Sequence, residues 1–278
     1  MTAGDLPKPI VSAPWVAQNA IGLTLMDARG RAAYEQGHAL GAHHADLDRR
    51  LAAPAPHPER GGRHPLPDIA ELCLWLASRG VGPKSRIVVY DDQGGANAAA
   101  RFWWTMRALG HAEVSVVDGG VQALVAAGMQ MDTSESAPAL VAAYPAHAWL
   151  MPTVDVEQVE RLRTDASARV IDARAAFRFR GESEPIDPVA GHIPGAVNVP
   201  YADNLDAAGR FKTASELRAL YDQALGGVSP TRVVALCGSG VTACHTLLAM
   251  EIAGLPGAAL YVGSWGEWCR QARPREPA

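Results

Sequence analysis

Cys237-Gly238-Ser239-Gly240-Val241-Thr242 is the stretch of this chain whose residue types and spacing best suit covalent chemistry. An apolar run, RVVAL, precedes it, and a helical pattern starts at Ala243. A short turn between a buried strand and a helix lets successive backbone N–H groups converge on one point. The helix N-terminus adds further donors and a partial positive charge. Gly238 and Gly240 permit the close backbone approach and positive φ that such a turn needs. A cysteine at its head offers a thiolate nucleophile. The same ring of N–H groups would also hold the anion of a persulfide, once a second sulfur is attached.

The other cysteines are Cys73, Cys244 and Cys269. Their spacings match no zinc pattern and include no Cys-x-x-Cys, so free thiols are expected. Cys244 and Cys73 read as helix core, whereas Cys269, near the C-terminus, is expected to be exposed.

The elements that must position Cys237 come from a repeat. LMDAR (25–29) matches VIDAR (170–174), and GHALGA (37–42) matches GHIPGA (191–196). RIVVYDDQGGANAA (86–99) matches RVVALCGSGVTAC (232–244), and VVDGGVQAL (116–124) matches YVGSWGEW (261–268). The pairs Asp27 and Asp172, Asp92 and Cys237, and Gly119 and Gly263 are separated by 145, 145 and 144 residues. GHALGA and GHIPGA lie further apart because RFRGESEPIDPVA (178–190) lengthens that loop. Duplication of one domain follows. On this alignment the counterpart of Cys237 is Asp92, which cannot attack sulfur, so only the second half is expected to be catalytic.

Within each half, short runs rich in Val, Ile and Leu alternate with helical patterns such as SELRALYDQAL (215–225) and ACHTLLAMEIAG (243–254). That alternation predicts an α/β fold of two tandem domains. Each is a mostly parallel sheet with helices on both faces. The expected boundaries are 10–130 and 153–272, joined by the Pro- and Ser-rich stretch 131–152.

Composition narrows the partners. With 278 residues, 48% apolar and 19% charged, the chain can bury a sizeable core. A net charge of −4 without a long basic run argues against nucleic acid as the main partner. The start, MTAGDLPKPIVSAPW, lacks an apolar signal-peptide core, and no apolar run is long enough to span a bilayer. A cytoplasmic location with no membrane partner is expected.

The chain resembles the tandem-domain rhodanese and 3-mercaptopyruvate sulfurtransferase family. The likeness rests on VIDAR with Arg178-Phe179-Arg180-Gly181, on GHIPGAVNVP (191–200), CGSGVTA (237–243) and GSWGEW (263–268), and on YDDQGGANAAARFWW (90–104). It runs from about Ser12 to Trp268. The resemblance implies two rhodanese-type domains with the nucleophile in the second. It implies sulfur transfer through a Cys237 persulfide and no metal or organic cofactor. An anionic donor would bind Arg178, with Arg180 a further candidate and Gly238, Gly240, Val241 and Thr242 forming the rest of the binding loop. Ser239 would donate to a substrate carbonyl or relay a proton. His38 would act as a relay from the first half, oriented by Asp27. The acceptor would be a low-molecular-weight thiol, reduced thioredoxin or cyanide. Related cysteine phosphatases carry an arginine six residues past the cysteine, where this chain has Ala243, so their phosphate clamp is missing.

The donor stays open between two anions. The neutral Gly238 and Ser239 resemble the 3-mercaptopyruvate type, since thiosulfate enzymes more often place basic side chains there. Ile186 points the other way, because mercaptopyruvate-type members often have an arginine at that place. A non-enzymatic persulfide carrier is the alternative from another class. Trp265 and Trp268 are expected to pack the sheet end, Glu267 to support the loop backbone, and Thr242 to cap the following helix.

Overall fold

In a computed structural model, residues 6, 9–96, 98–136 and 141–277 are described. Parts of the expected linker (137–140) and of the N-terminal stretch (1–5, 7 and 8), together with Asn97, lie outside them. The chain divides into two compact units. One holds 1–52, 67–150 and 207–210; the other holds 53–66, 151–206 and 211–278. The exchange of 53–66 into the second unit has no signal in the repeat.

The first unit is built on β1 (Ile10–Ser12), β2 (Thr24–Asp27), β3 (His43–His44), β4 (Ile87–Tyr90) and β5 (Val114–Asp118). They lie in the order β1-β5-β4-β2-β3 and every pair is parallel. The second unit is built on β6 (Thr153–Val154), β7 (Arg169–Asp172), β8 (Val197–Asn198), β9 (Val233–Leu236) and β10 (Ala259–Tyr261). Its order, β8-β7-β9-β10-β6, is the same topology read from the opposite edge, again all parallel. The central strands IVVY and VVAL are buried at all four positions, as expected of strands covered on both faces. Each sheet has its own core: Leu25, Val88, Tyr90 and Leu124 are among the residues of one, and Val170, Leu236, Trp265 and Trp268 of the other.

The expected helices form. Ala214–Leu225 starts from a capping box between Thr213 and Glu216 and stops at Gly226, whose φ of 57° is left-handed. Ala243–Ile252 is followed by Gly254 at φ 70°. Among the described residues no helix is long and apolar enough to cross a membrane.

Strand register corrects one detail of the repeat. Asp27 pairs with Tyr90, and Asp172 pairs with Leu236. The residue that leaves the strand into the loop is therefore Asp91 in the first unit and Cys237 in the second. Backbone bonds agree: the N–H of Val121 donates to the Asp91 carbonyl at 2.9 Å, and that of Trp265 to the Cys237 carbonyl at 3.0 Å. Asp91, not Asp92, is the structural counterpart of Cys237. The separation between the repeats is therefore 146 residues at this turn and 144 at the following helix, where Val121 corresponds to Trp265.

Candidate active site

Cys237 emerges from β9 and is 3% exposed. Two backbone bonds tie its loop to the short helix Ser264–Trp268. The Trp265 N–H donates to the Cys237 carbonyl, and the Gly266 N–H donates to the Gly238 carbonyl at 2.9 Å. The Cys237 N–H donates to Ser264 Oγ at 3.1 Å, and that hydroxyl donates to the Tyr261 carbonyl at 2.9 Å. Ser264 has φ 54°, a left-handed value otherwise confined to glycines among the described residues. The strain is tolerated because its side chain joins strand end to loop.

The turn itself is tight. Gly240 has φ 74°, and a Cβ on it would lie 2.5 Å from the Val262 carbonyl oxygen. Only glycine fits there. The Ser239 N–H points at Cys237 Sγ, 3.5 Å away, so at least one loop amide faces the sulfur. Ser239 and Val241 are buried beside it. Thr242 is the residue before the helix, as expected, but its side chain makes no cap bond; its αR backbone keeps it from the extended geometry that a capping hydroxyl uses.

Four arginines surround this loop. Arg174 forks onto Asp172, with Nη2 2.6 Å from Oδ2, and its Nη1 lies 3.3 Å from Glu184 Oε2. Burial disfavours its charge, but Asp172, Glu184 and Cys237 outweigh that, and its pKa is raised. Arg178 forks onto Glu184, with Nη2–Oε1 at 2.6 Å and Nε–Oε2 at 3.1 Å. Burial alone would raise the Glu184 pKa. Arg178 and the amides of Asp187 and Ile186 reverse this and hold it below the ordinary carboxylate value. Asp187 is buried and receives Arg63 Nε at 3.1 Å and Arg270 Nη1 at 2.8 Å, with Arg178 Nη2 3.6 Å away.

Several sequence-derived expectations land elsewhere. Arg180 is exposed and paired with Glu182, so the structure does not bring it to the loop. Its position at the helix end turns it outward. Glu267 accepts from the Gly61 N–H at 2.8 Å, anchoring the segment 53–66 rather than the cysteine loop. Cys269 is 3% exposed, because it packs in the core with Trp265 and Trp268. Cys244 and Cys73 are buried as expected, and none of the four cysteines is in a disulfide.

His38 sits in the first unit and is fully buried. Its Nδ1 is 2.9 Å from the Tyr34 carbonyl and its Nε2 is 3.2 Å from that of Ser134. Its ring stacks on Tyr34 at 3.8 Å. His192 repeats the pattern in the second unit, with Nδ1 2.7 Å from the Phe179 carbonyl and its ring stacked on Phe179 at 3.7 Å. Asp27 is fully engaged by Arg29, as Asp172 is by Arg174.

A model of the rhodanese-like domain matches residues 12–127 and again 155–271. The chain belongs to the rhodanese family. A relative named "Probable 3-mercaptopyruvate sulfurtransferase" from Pseudomonas aeruginosa is 44% identical, covering 89% of this chain and 86% of its own. The 3-mercaptopyruvate sulfurtransferase of Homo sapiens is 35% identical, covering 99% and 97%. Among solved structures, 3-mercaptopyruvate sulfurtransferase from Leishmania major superposes with a TM-score of 0.85 at 30% identity, covering 98% of this chain and 77% of that one. Relatives named as thiosulfate sulfurtransferases match as well.

Sequence reasoning missed Arg63, Asp187, Arg270 and Ser264. Asp187 lay in a loop singled out for its arginines, and its aspartate next to Ile186 was the only local signal. Arg63 had none, because it is 124 positions from its carboxylate partner.

Proposed function

We propose that this rhodanese-family protein transfers sulfur from 3-mercaptopyruvate to a thiol acceptor through a persulfide on Cys237. The observation that carries the reading is Cys237 Sγ facing a loop amide, with the Arg178 guanidinium beside the next residue. A Cβ on Gly238 would lie 3.4 Å from Arg178 Nη2. A nucleophile and an anion-binding fork thus adjoin one turn.

The Cys237 thiolate attacks the thiol sulfur of the donor. The donor's C–S bond breaks, its electron pair passes to carbon as the pyruvate enolate, and protonation gives pyruvate. Cys237 then carries the outer sulfur as an anion that the loop amides stabilise. An acceptor thiolate attacks that sulfur and leaves as the acceptor's persulfide, returning the Cys237 thiolate. Arg178 binds the donor carboxylate, and Gly238, Ser239, Gly240, Val241 and Thr242 line the turn. The acceptor is reduced thioredoxin or a low-molecular-weight thiol, with cyanide as an assay substitute, and the protein works in the cytoplasm. The partners of His38, duplicated at His192, favour a role in fixing its own turn over the relay. The pairing of Arg180 with Glu182 favours a surface role.

Thiosulfate is the second donor to test, because relatives of that name match the chain. Incubation with each donor followed by mass spectrometry is expected to show one added sulfur, on Cys237. Cys237→Ser is expected to lose both the adduct and pyruvate release; a persulfide persisting on another cysteine would sink the assignment. Loading without catalytic pyruvate release would leave a sulfur carrier instead of an enzyme.

A further inference from the structure

We infer that Arg63, delivered by the segment 53–66, is a second donor-binding residue: with Arg178 it forms a two-guanidinium cradle for the carboxylate of the donor. The inference rests on the sulfur-transfer reading of Cys237 and extends it to the residue that sets donor recognition.

The geometry begins at Gly238. A Cβ there would lie 2.9 Å from Arg63 Nη2 and 3.4 Å from Arg178 Nη2. Two guanidinium tips therefore converge on the space that a side chain next to Cys237 would fill. The loop has no charge of its own at Gly238 or Ser239. Positive charge arrives from Arg63 and Arg178 instead. Arg63 keeps 24% of its side chain accessible and Arg178 13%, whereas the carboxylate between them, Asp187, has none. The cradle is thus held from behind and open in front.

Charge supports the same conclusion. Among the described residues, the ion pairs of Arg63, Arg174, Arg178 and Arg270 run to three carboxylates, Asp172, Glu184 and Asp187. Arginine stays charged in proteins, so one positive charge exceeds these carboxylates and balances the Cys237 thiolate; the donor carboxylate then meets a neutral cluster, which without Arg63 would be negative. Arg270 is less suited to meet the donor, because one of its nitrogens is committed to both Asp187 and the Gly266 carbonyl, at 2.8 and 2.6 Å. Arg63 holds Asp187 at longer range, with Nε at 3.1 Å and Nη2 at 3.5 Å.

The segment that carries Arg63 is built to place it. The Gly61 N–H donates to Glu267 Oε1, and Gln271 Nε2 donates to the Glu59 carbonyl at 2.8 Å. Gly62, at φ 79°, packs so closely on Gly263 that a Cβ would lie 2.4 Å from its carbonyl oxygen. Arg63 is therefore seated on the helix that also holds the cysteine loop.

The test uses the full chain with Arg63→Ala, Arg63→Lys and Arg63→Gln, and Arg270→Ala as a comparison. Pyruvate, the carboxylate product, is used to protect Cys237 from alkylation by the neutral reagent iodoacetamide. This readout needs no turnover. The protecting concentration is expected to rise roughly ten- to hundredfold in Arg63→Ala, the range of a lost charge-assisted hydrogen bond. KM for 3-mercaptopyruvate should rise by a similar factor with kcat little changed. Discharge of a polysulfide-loaded Cys237 persulfide by dithiothreitol should stay within about twofold, because the acceptor step does not need the carboxylate site. Arg63→Lys should recover part of the loss. Failure of pyruvate to protect the wild type, protection unchanged in Arg63→Ala, or equal slowing of loading and discharge would each overturn the inference. If Arg63→Ala does not fold, Arg63→Gln and Arg63→Lys carry the same comparisons. Wild-type protein that is protected by pyruvate yet never gains sulfur would instead refute the sulfur-transfer reading and leave the carboxylate site standing.

Discussion

The two units put opposite residues at the same turn. In the first, Asp91 leaves β4 and its carboxylate turns back into the loop, accepting from the N–H groups of Gln93 at 2.9 Å, Gly95 at 2.8 Å and Ala99 at 3.2 Å. In the second, Cys237 leaves β9 and the Ser239 N–H approaches its sulfur at 3.5 Å. The first loop thus carries its own anion. The second presents a thiol where an added sulfur or a donor can take up that role. The surroundings differ in the same sense. Arg29 is engaged by Asp27 and the Gly37 carbonyl, much as Arg174 is by Asp172 and the Gly191 carbonyl. Arg174 is in addition joined to Arg178 through Glu184. A shared scaffold therefore carries a turn closed on its own carboxylate in one unit and a cysteine turn flanked by arginines in the other.

The sharpest way to break this comparison is to exchange the turn residues. Cys237→Asp is expected to abolish sulfur loading, read by mass spectrometry. It should nonetheless melt at least as high as Cys237→Ala, because a carboxylate satisfies the loop amides. In a Cys237→Ser background, Asp91→Cys is expected to gain no sulfur from the donor, since the cradle of Arg63 and Arg178 stands beside Gly238, at the Cys237 turn. Loading at that introduced thiol would show that the loop suffices.

Removing the built-in anion should cost nearly as much in stability. Asp91→Ala leaves two loop N–H groups and one in the first turn of the helix without their acceptor, and a loss of about 3 kcal/mol is expected in chemical denaturation. Asp91→Asn should lose less. An unchanged midpoint in both would mean that the carboxylate does not organise the turn.

The arginine network makes the second unit sensitive to acid. The Glu184 pKa is depressed in the folded state, so its contribution is present above its ordinary value of 4.5 and is lost as the pH falls through the lower folded one. Melting temperature followed downward from pH 6 should drop more steeply in the wild type than in Glu184→Gln. Parallel curves would remove Glu184 as the cause.

The smallest expected effect concerns Ser264, whose counterpart Gly120 has a similar φ of 61°. Ser264→Gly relieves the left-handed strain but removes the acceptor of the Cys237 N–H. These oppose each other at about 1 kcal/mol apiece, so stability should barely move. Sulfur loading should slow by a few fold, because the strand end holding Cys237 is less well fixed.

Local pattern made most of the fold legible. Runs such as RVVAL and VIDA are short, β-branched and bounded by turns, and the helix Ala214–Leu225 shows apolar residues at helical spacing, at 217, 220, 221, 224 and 225. Cys237 could be read because strand, glycine turn and helix are consecutive in the chain. Where expectation and structure part, the deciding contact is not local. The choice of Asp91 over Asp92 depends on strand register, which hydrogen bonds between β2 and β4 settle. The burial of Cys269 depends on packing against Trp265 and Trp268. His38 gained a functional expectation from resemblance, whereas its stacking on Tyr34 is visible only in space.

The sequence by itself determined two repeated α/β domains and a single candidate nucleophile at a glycine turn in the second, because those properties follow from residue order over a few tens of positions. Tertiary structure alone decided what surrounds that cysteine. Asp187 gathers arginines from positions 63, 178 and 270, and the first of these arrives on a segment folded onto the other repeat's helix. Electrostatic attraction acts through distance in space and not along the chain. No periodicity or spacing in the sequence could have announced that Arg63 stands beside Gly238.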